Sequence, residues 1–138
     1  DVLAMTTKPV VVSHTGVRGT CDHVRNLSDE QLRGIAAVGG LVGIGYWDAA
    51  VCDVGVAGIV RAIVHVARTI GAQHVALGSD FDGATTVAFD TAGIPMLTQG
   101  LLDAGLNEAE IRLIMGDNVR RVLEQTLPAG EDDAGSRG

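Results

Sequence analysis

A chain of 138 residues, 46% hydrophobic and 20% charged, has the size and balance of one domain with a real core, which excludes a disordered or fibrous protein. Its formal charge of −7 excludes a nucleic-acid backbone as partner, because binding phosphates needs a basic footprint. No apolar run approaches the length of a membrane-spanning helix, and with aromatics at 3% against 19 glycines the core must be built from Val, Ile, Leu and Ala.

Two cysteines, Cys21 and Cys52, stand far apart and outside any CxxC pair, so free thiols in a reducing compartment are expected rather than a disulfide framework. The chain starts at Asp1 without a methionine, and a piece of something longer is expected.

Taken in order, a short opening segment leads into KPVVVSH, a strand, and then the glycine-punctuated loop TGVRGTCDHVRN. LSDEQLRGIAAVGG reads as a helix, with Ser28 as N-cap, Gln31 as its capping-box partner, and Leu32, Ile35 and Ala36 at helical spacing. LVGIGYW is a second strand. VGVAGIVRAIVHVARTIG is a second helix, with Ile59, Ile63, Val66 and Ile70 along one face. HVALGS is a third strand, followed by a Gly/Thr-rich loop, a helix from about Pro95 to Ala104, and one long or two abutting helices between Asn107 and Leu127. The polar remainder, PAGEDDAGSRG, reads as a frayed tail. Strands apolar on both faces and alternating with helices indicate an α/β architecture with parallel strands.

In such folds ligands sit at the carboxyl ends of the strands. Those ends carry Ser13-His14, Tyr46-Trp47-Asp48 and Ser79-Asp80-Phe81-Asp82, so ligand-capable side chains gather at one rim. His14 can serve as a metal ligand, a general base or a capped core histidine. One of Asp80 and Asp82 can face the rim while the other shapes the turn, and an Asx-type turn with no catalytic role accounts equally well for either acid alone. Arg25, on the loop after the first strand and next to Asn26, can clamp a carboxylate bidentately. His23 and His65 have no obvious partner. TGVRG lacks the GK[ST] ending of a phosphate loop and opens into no helix, so nucleotide binding is set aside.

Together PVVVSHTGVRG, VRNLSDEQL, GSDFDG and MGDNVRRVL resemble the C-terminal part of a membrane (renal-type) dipeptidase, peptidase family M19, from about Lys8 to Leu127. The resemblance implies a zinc-dependent hydrolase of dipeptides on a (β/α)8 barrel of the amidohydrolase kind. It implies that His14 is a ligand of one of two zincs and that Arg25, with Asn26 beside it, binds the substrate's terminal carboxylate. Asp80 is implied to lie beside the zinc-bridging water and to handle protons or the substrate amine, while Asp82 and Gly83 shape the turn.

The family's His-x-Asp pair, bridging glutamate and further ligand histidine have no match here. The resemblance therefore covers about strands six to eight with their helices, a partial barrel over 1–127 and a flexible tail over 128–138. One histidine cannot hold a catalytic zinc, which takes three protein ligands. Two other readings stand beside this one: a non-catalytic α/β module for binding or homo-oligomerisation derived from such a barrel, and another amidohydrolase-type enzyme.

Overall fold

The computed structural model describes residues 2–128, so the tail expected over 128–138 lies outside the described residues from 129 onward. The elements are α1 (Val2–Met5), β1 (Val11–Thr15), α2 (Asp29–Ala37), β2 (Leu41–Ile44), α3 (Asp48–Val51), α4 (Val56–Ile70), β3 (Val75–Leu77), α5 (Ile94–Asp103), α6 (Glu108–Arg112) and α7 (Asn118–Thr126). The strands form one parallel sheet in the order β1-β2-β3, with Val42 facing Val12 on one side and Val75 on the other. The α/β expectation holds in this form. Among the described residues no helix is long and apolar enough to cross a membrane.

Local chemistry sets the element ends. Ser28 Oγ accepts from Gln31 N at 3.3 Å while Ser28 N donates to Gln31 Oε1 at 2.9 Å, the reciprocal capping box that starts α2. Asn107 and Glu110 do the same for α6. Between Asn107 and Leu127 there are two helices, separated by a wide turn over Leu113–Asp117 where Gly116 runs extended, at φ 171°. The second strand ends at Ile44, short of Trp47, because β1 and β3 stop alongside it and leave no ladder to continue.

Leu32 and Ile35 of α2 and Ile59, Ile63 and Val66 of α4 pack with Val42, Ile44 and Val75 into one aliphatic core. Each fully buried Ile, Leu or Val contributes about 1.5–3 kcal/mol of hydrophobic stabilisation. The Asn-x-x-Arg pattern of the last helix has a structural use. One turn apart on α7, Asn118 Nδ2 donates to Ala72 O (2.7 Å) and Val75 O (2.8 Å), and Arg121 Nη2 donates to Gln73 O (3.0 Å). The helix is thereby fastened to the turn that launches β3.

The cysteine expectation is corrected: Cys21 and Cys52 form a disulfide, Cα atoms 5.4 Å apart. Sequence spacing missed it because the loop after β1 folds back over α3, a non-local contact that brings together residues 31 positions apart.

Candidate active site at the carboxyl ends of the strands

Parallel strands open their carboxyl ends to one side, and His14 stands one residue before the end of β1. Ser13 Oγ lies 2.8 Å from its Nδ1, which holds the ring and leaves Nε2 as the free nitrogen. The indole of Trp47 meets the imidazole edge-on, ring centres 5.7 Å apart.

The loop from Gly16 to Ser28 is strongly self-tied. Leu27 N donates to Gly16 O and Arg18 N to Leu27 O, at 3.0 and 2.9 Å. The Arg18 guanidinium is engaged inside the loop, with Nε to Asn26 O (3.1 Å) and Nη2 to Val24 O (3.4 Å). Arg25 differs: it is exposed, and its guanidinium meets no partner among the described residues. Asn26 is buried, and its Nδ2 lies within 2.8–3.1 Å of the carbonyls of Cys21, Ala49 and Ala50. An amide nitrogen has two hydrogens, so every donor of Asn26 is committed to backbone.

His14, Arg25 and Asn26 converge on one pocket of about 240 Å³, walled by Val12, Leu27 and Trp47. Asp80 does not line it. It arrives from β3, at a point where the outer strands close on each other: a Cβ on Gly78 would lie 3.0 Å from His14 Cα and would collide with the Ser13 carbonyl. Only glycine lets β3 leave the sheet there. Two residues on, Asp80 takes φ 58°, the left-handed region that Asp tolerates better than most side chains. Its carbonyl accepts from Gly83 N (3.0 Å) and Thr85 Oγ1 (3.2 Å). Its carboxylate lies over Gly83, where a Cβ would come within 2.6 Å of Oδ1, and has no hydrogen-bond partner among the described residues. The turn is thus made by the backbone of Asp80 and Gly83, while Asp82 is exposed.

Sequence reasoning passed over the aromatic side chains as functional parts. Tyr46 is fully buried and meets Phe81 edge to face (ring centres 5.7 Å apart) and Phe89 at a tilt (5.6 Å), pinning both ends of the loop after β3 onto the end of β2. Burial pushes the Tyr46 phenol well above its ordinary pKa. The available signal was position: four aromatics in the whole chain, two of them at the end of β2. His23 and His65 do have partners, His23 Nδ1 accepting from Arg25 N at 3.3 Å and His65 Nε2 lying 2.8 Å from Asp29 Oδ1. A broad depression of about 1080 Å³ lies away from the His14–Arg25 pocket, along α4 and α5, and is lined by Arg61, His65, Arg68 and Asp103 among others.

Among the described residues no group of three or more His, Cys, Asp or Glu side chains is placed to hold a metal ion. His14 offers one nitrogen where a catalytic zinc takes three protein ligands, so the donors of this chain do not by themselves fit a zinc centre.

The family model for membrane dipeptidase, peptidase family M19, matches residues 1–135. The chain belongs to peptidase family M19. It is 35% identical over 133 residues to an uncharacterised protein in the pqqA 5′ region of Klebsiella pneumoniae, covering 90% of this chain and 49% of that protein. It is 32% identical over 148 residues to dipeptidase ataJ of Aspergillus terreus, covering 100% of this chain and 36% of that one. The crystal structure of a metallopeptidase from Rhodobacter sphaeroides, liganded with a phosphinate mimic of the dipeptide L-Ala-D-Ala, superposes with a TM-score of 0.83 at 29% identity, covering 91% of this chain and 38% of that chain. This M19 chain therefore spans about half the length of the first relative and little more than a third of the other two.

Proposed function

We propose that this M19 chain is the C-terminal part of a dipeptidase barrel, about strands six to eight with their helices over 1–127, and that it supplies the carboxylate-binding and proton-handling side of a dipeptide-hydrolysing site. The observation that carries the reading is the pocket in which an unpaired guanidinium, Arg25, shares its walls with His14 and Trp47. A guanidinium fork matches a carboxylate bidentately, and the C-terminus of a dipeptide is the carboxylate such a substrate always offers.

Asn26 acts on the loop, holding Arg25 through the backbone instead of touching substrate. Asp80, half-buried with an unengaged carboxylate, is suited to accept a proton or the substrate's ammonium and to pass a proton to the leaving nitrogen. Zinc dependence is a property of the family. His14, its Nε2 free, is the ligand this chain offers, and the remaining ligands belong to residues outside it.

Completed by the rest of such a barrel, the protein hydrolyses dipeptides with a free C-terminal carboxylate. Arg25→Ala then raises KM for these and leaves C-terminally amidated analogues much less changed, while Asp80→Asn lowers kcat by about 10²–10⁴-fold. Equal losses on free and amidated dipeptides would remove Arg25 from this role. The 138-residue chain alone, with added zinc, turns over no dipeptide; a monomer that binds two zincs tightly and cleaves dipeptides would overturn the partial-barrel reading.

A second reading, a non-catalytic module that pairs with itself or another chain, draws on a specific feature. Both β1 and β3 are outer strands, and Val11, Val119 and Leu123 are exposed large apolar side chains. Unpaired strand edges beside apolar surface favour association. A concentration-dependent oligomer of the full-length protein that lacks peptidase activity would favour it.

A further inference from the structure

Arg25 stands at the tip of the Cys21–Asn26 turn, and that turn is fastened to α3 in two places. One is Asn26 Nδ2, which reaches Ala49 O at 3.0 Å and Ala50 O at 3.1 Å. The other is covalent: Cys21 is bridged to Cys52, the residue that caps α3. Inside the turn, His23 N donates to Cys21 O (2.9 Å) and Asn26 N to His23 O (3.0 Å), so the turn hangs from the cysteine backbone. Cys21 is buried and Cys52 is exposed.

We propose that the Cys21–Cys52 bridge and Asn26 together position Arg25, and that the bridge makes this positioning redox-dependent: reduction by a dithiol frees the turn while the sheet stays in place. The inference rests on Arg25 as the carboxylate clamp for its functional meaning, and on geometry alone for its mechanical content. The core of β2, α2 and α4 contains neither cysteine, so loss of the bridge releases the loop and not the sheet. The exchange balances. A dithiol thiolate attacks Cys52 Sγ, the accessible sulfur, and Cys21 leaves as thiolate; the second thiol resolves the mixed disulfide, giving an oxidised dithiol and two cysteine thiols, with two electrons passed to the bridge. Asn26 Nδ2 then remains as the strong tie of the turn to α3, with only the weak donor Cys21 Sγ beside it, 3.7 Å from Ala49 O and 3.8 Å from Asp48 O.

The test uses the 138-residue chain in three forms: oxidised, reduced with dithiothreitol, and Asn26→Ala kept oxidised. The readouts are alkylation counted by mass and backbone ¹⁵N order parameters, which report loop motion independently of turnover. In the oxidised chain the order parameters at His23–Asn26 are expected near ~0.85, the value of rigid backbone. On reduction two cysteines become alkylatable, the order parameters at His23–Asn26 fall below ~0.6, and Val42–Ile44 stay near ~0.85. Asn26→Ala shows a smaller fall confined to the same residues. A turn that keeps its order on reduction, a bridge that dithiothreitol opens only with denaturant, or a loss of order throughout the chain overturns the proposal, and so does an Asn26→Ala turn indistinguishable from wild type. A failed dipeptidase assay leaves these outcomes unchanged, so the two readings fall separately.

Discussion

Replacing Asn118 by alanine removes the clamp between α7 and the turn before β3, and its cost can be worked from the bonds it makes. Asn118 is fully buried, and Nδ2 donates to Ala72 O and Val75 O at 2.7 and 2.8 Å. Ala72 O keeps the Val75 N–H, so its share is the net worth of one hydrogen bond, about 1 kcal/mol. Val75 O loses a donor inside the protein, which costs about 1–3 kcal/mol. The side-chain Oδ1 is buried without a partner, so its removal costs nothing and sets no further penalty. The sum is about 2–4 kcal/mol. With 127 described residues and ~2.1 cal/mol/K of unfolding entropy for each, 1 kcal/mol corresponds to about 4 °C, so Tm should fall by about 7–15 °C. Thermal melts followed by far-UV circular dichroism measure it, with Arg121→Ala as comparison, since that guanidinium reaches Gln73 O from an exposed position and should cost about 1 kcal/mol or less. An Asn118→Ala melt within about 2 °C of wild type would refute the reasoning, because it would mean the two carbonyls find other donors at no cost.

Breaking the disulfide by reduction opens a loop with a sequence separation of 31, and the chain-entropy relation gives about 3.7 kcal/mol of lost stability at 25 °C. Urea midpoints of the oxidised and reduced chain should therefore differ by more than about 1 M, and coincident midpoints would contradict it. Ser28→Ala deletes half of the capping box of α2 and should cost about 1 kcal/mol, with Ser28→Thr nearly neutral by the same denaturation assay. The Tyr46 phenol, its pKa raised by burial, should show no ionisation at 295 nm through the ordinary range near 10 while the chain is folded. The native state holds this proton more tightly than the unfolded one, so the contribution to stability is full below about pH 10 and is lost as pH rises above it. A native phenol titrating near pH 10 would falsify the buried placement.

How much of this was legible in the sequence depends on the reach of each interaction. The capping box at Ser28, the apolar face of α4 and the three apolar strand runs are local patterns, and each maps onto an observed element. Single-turn α3 and the wide turn at Gly116 carry no periodic signal strong enough to read. The disulfide and the hydrogen bonds from Asn26 Nδ2 to Ala49 O and Ala50 O depend on the loop after β1 lying on α3, and that contact joins residues more than twenty positions apart. At the rim, His14 and Arg25 were legible as chemistry-bearing residues at a strand end and on its loop, and the structure brings them to one pocket. Asn26 enters the substrate set only through the resemblance, beside Arg25; its burial under α3 is visible only in three dimensions. Asp80 was singled out for its carboxylate, while the left-handed backbone that aims it was not foreseeable from the DFDG run, which places the glycine three residues later.

All four aromatic residues of the chain, Tyr46, Trp47, Phe81 and Phe89, sit at the carboxyl-end rim, and the rest of the core is aliphatic. The molecule's ultraviolet optics are consequently a local probe. Intrinsic fluorescence excited at the red edge comes from a single indole set edge-on to the His14 ring. Emission intensity therefore reads the surroundings of Trp47 at the pocket without any label, and near-ultraviolet dichroism reads the seating of the loop after β3 against Tyr46. Ligand entry at the rim becomes observable in a cuvette, while the helices behind the sheet stay optically silent.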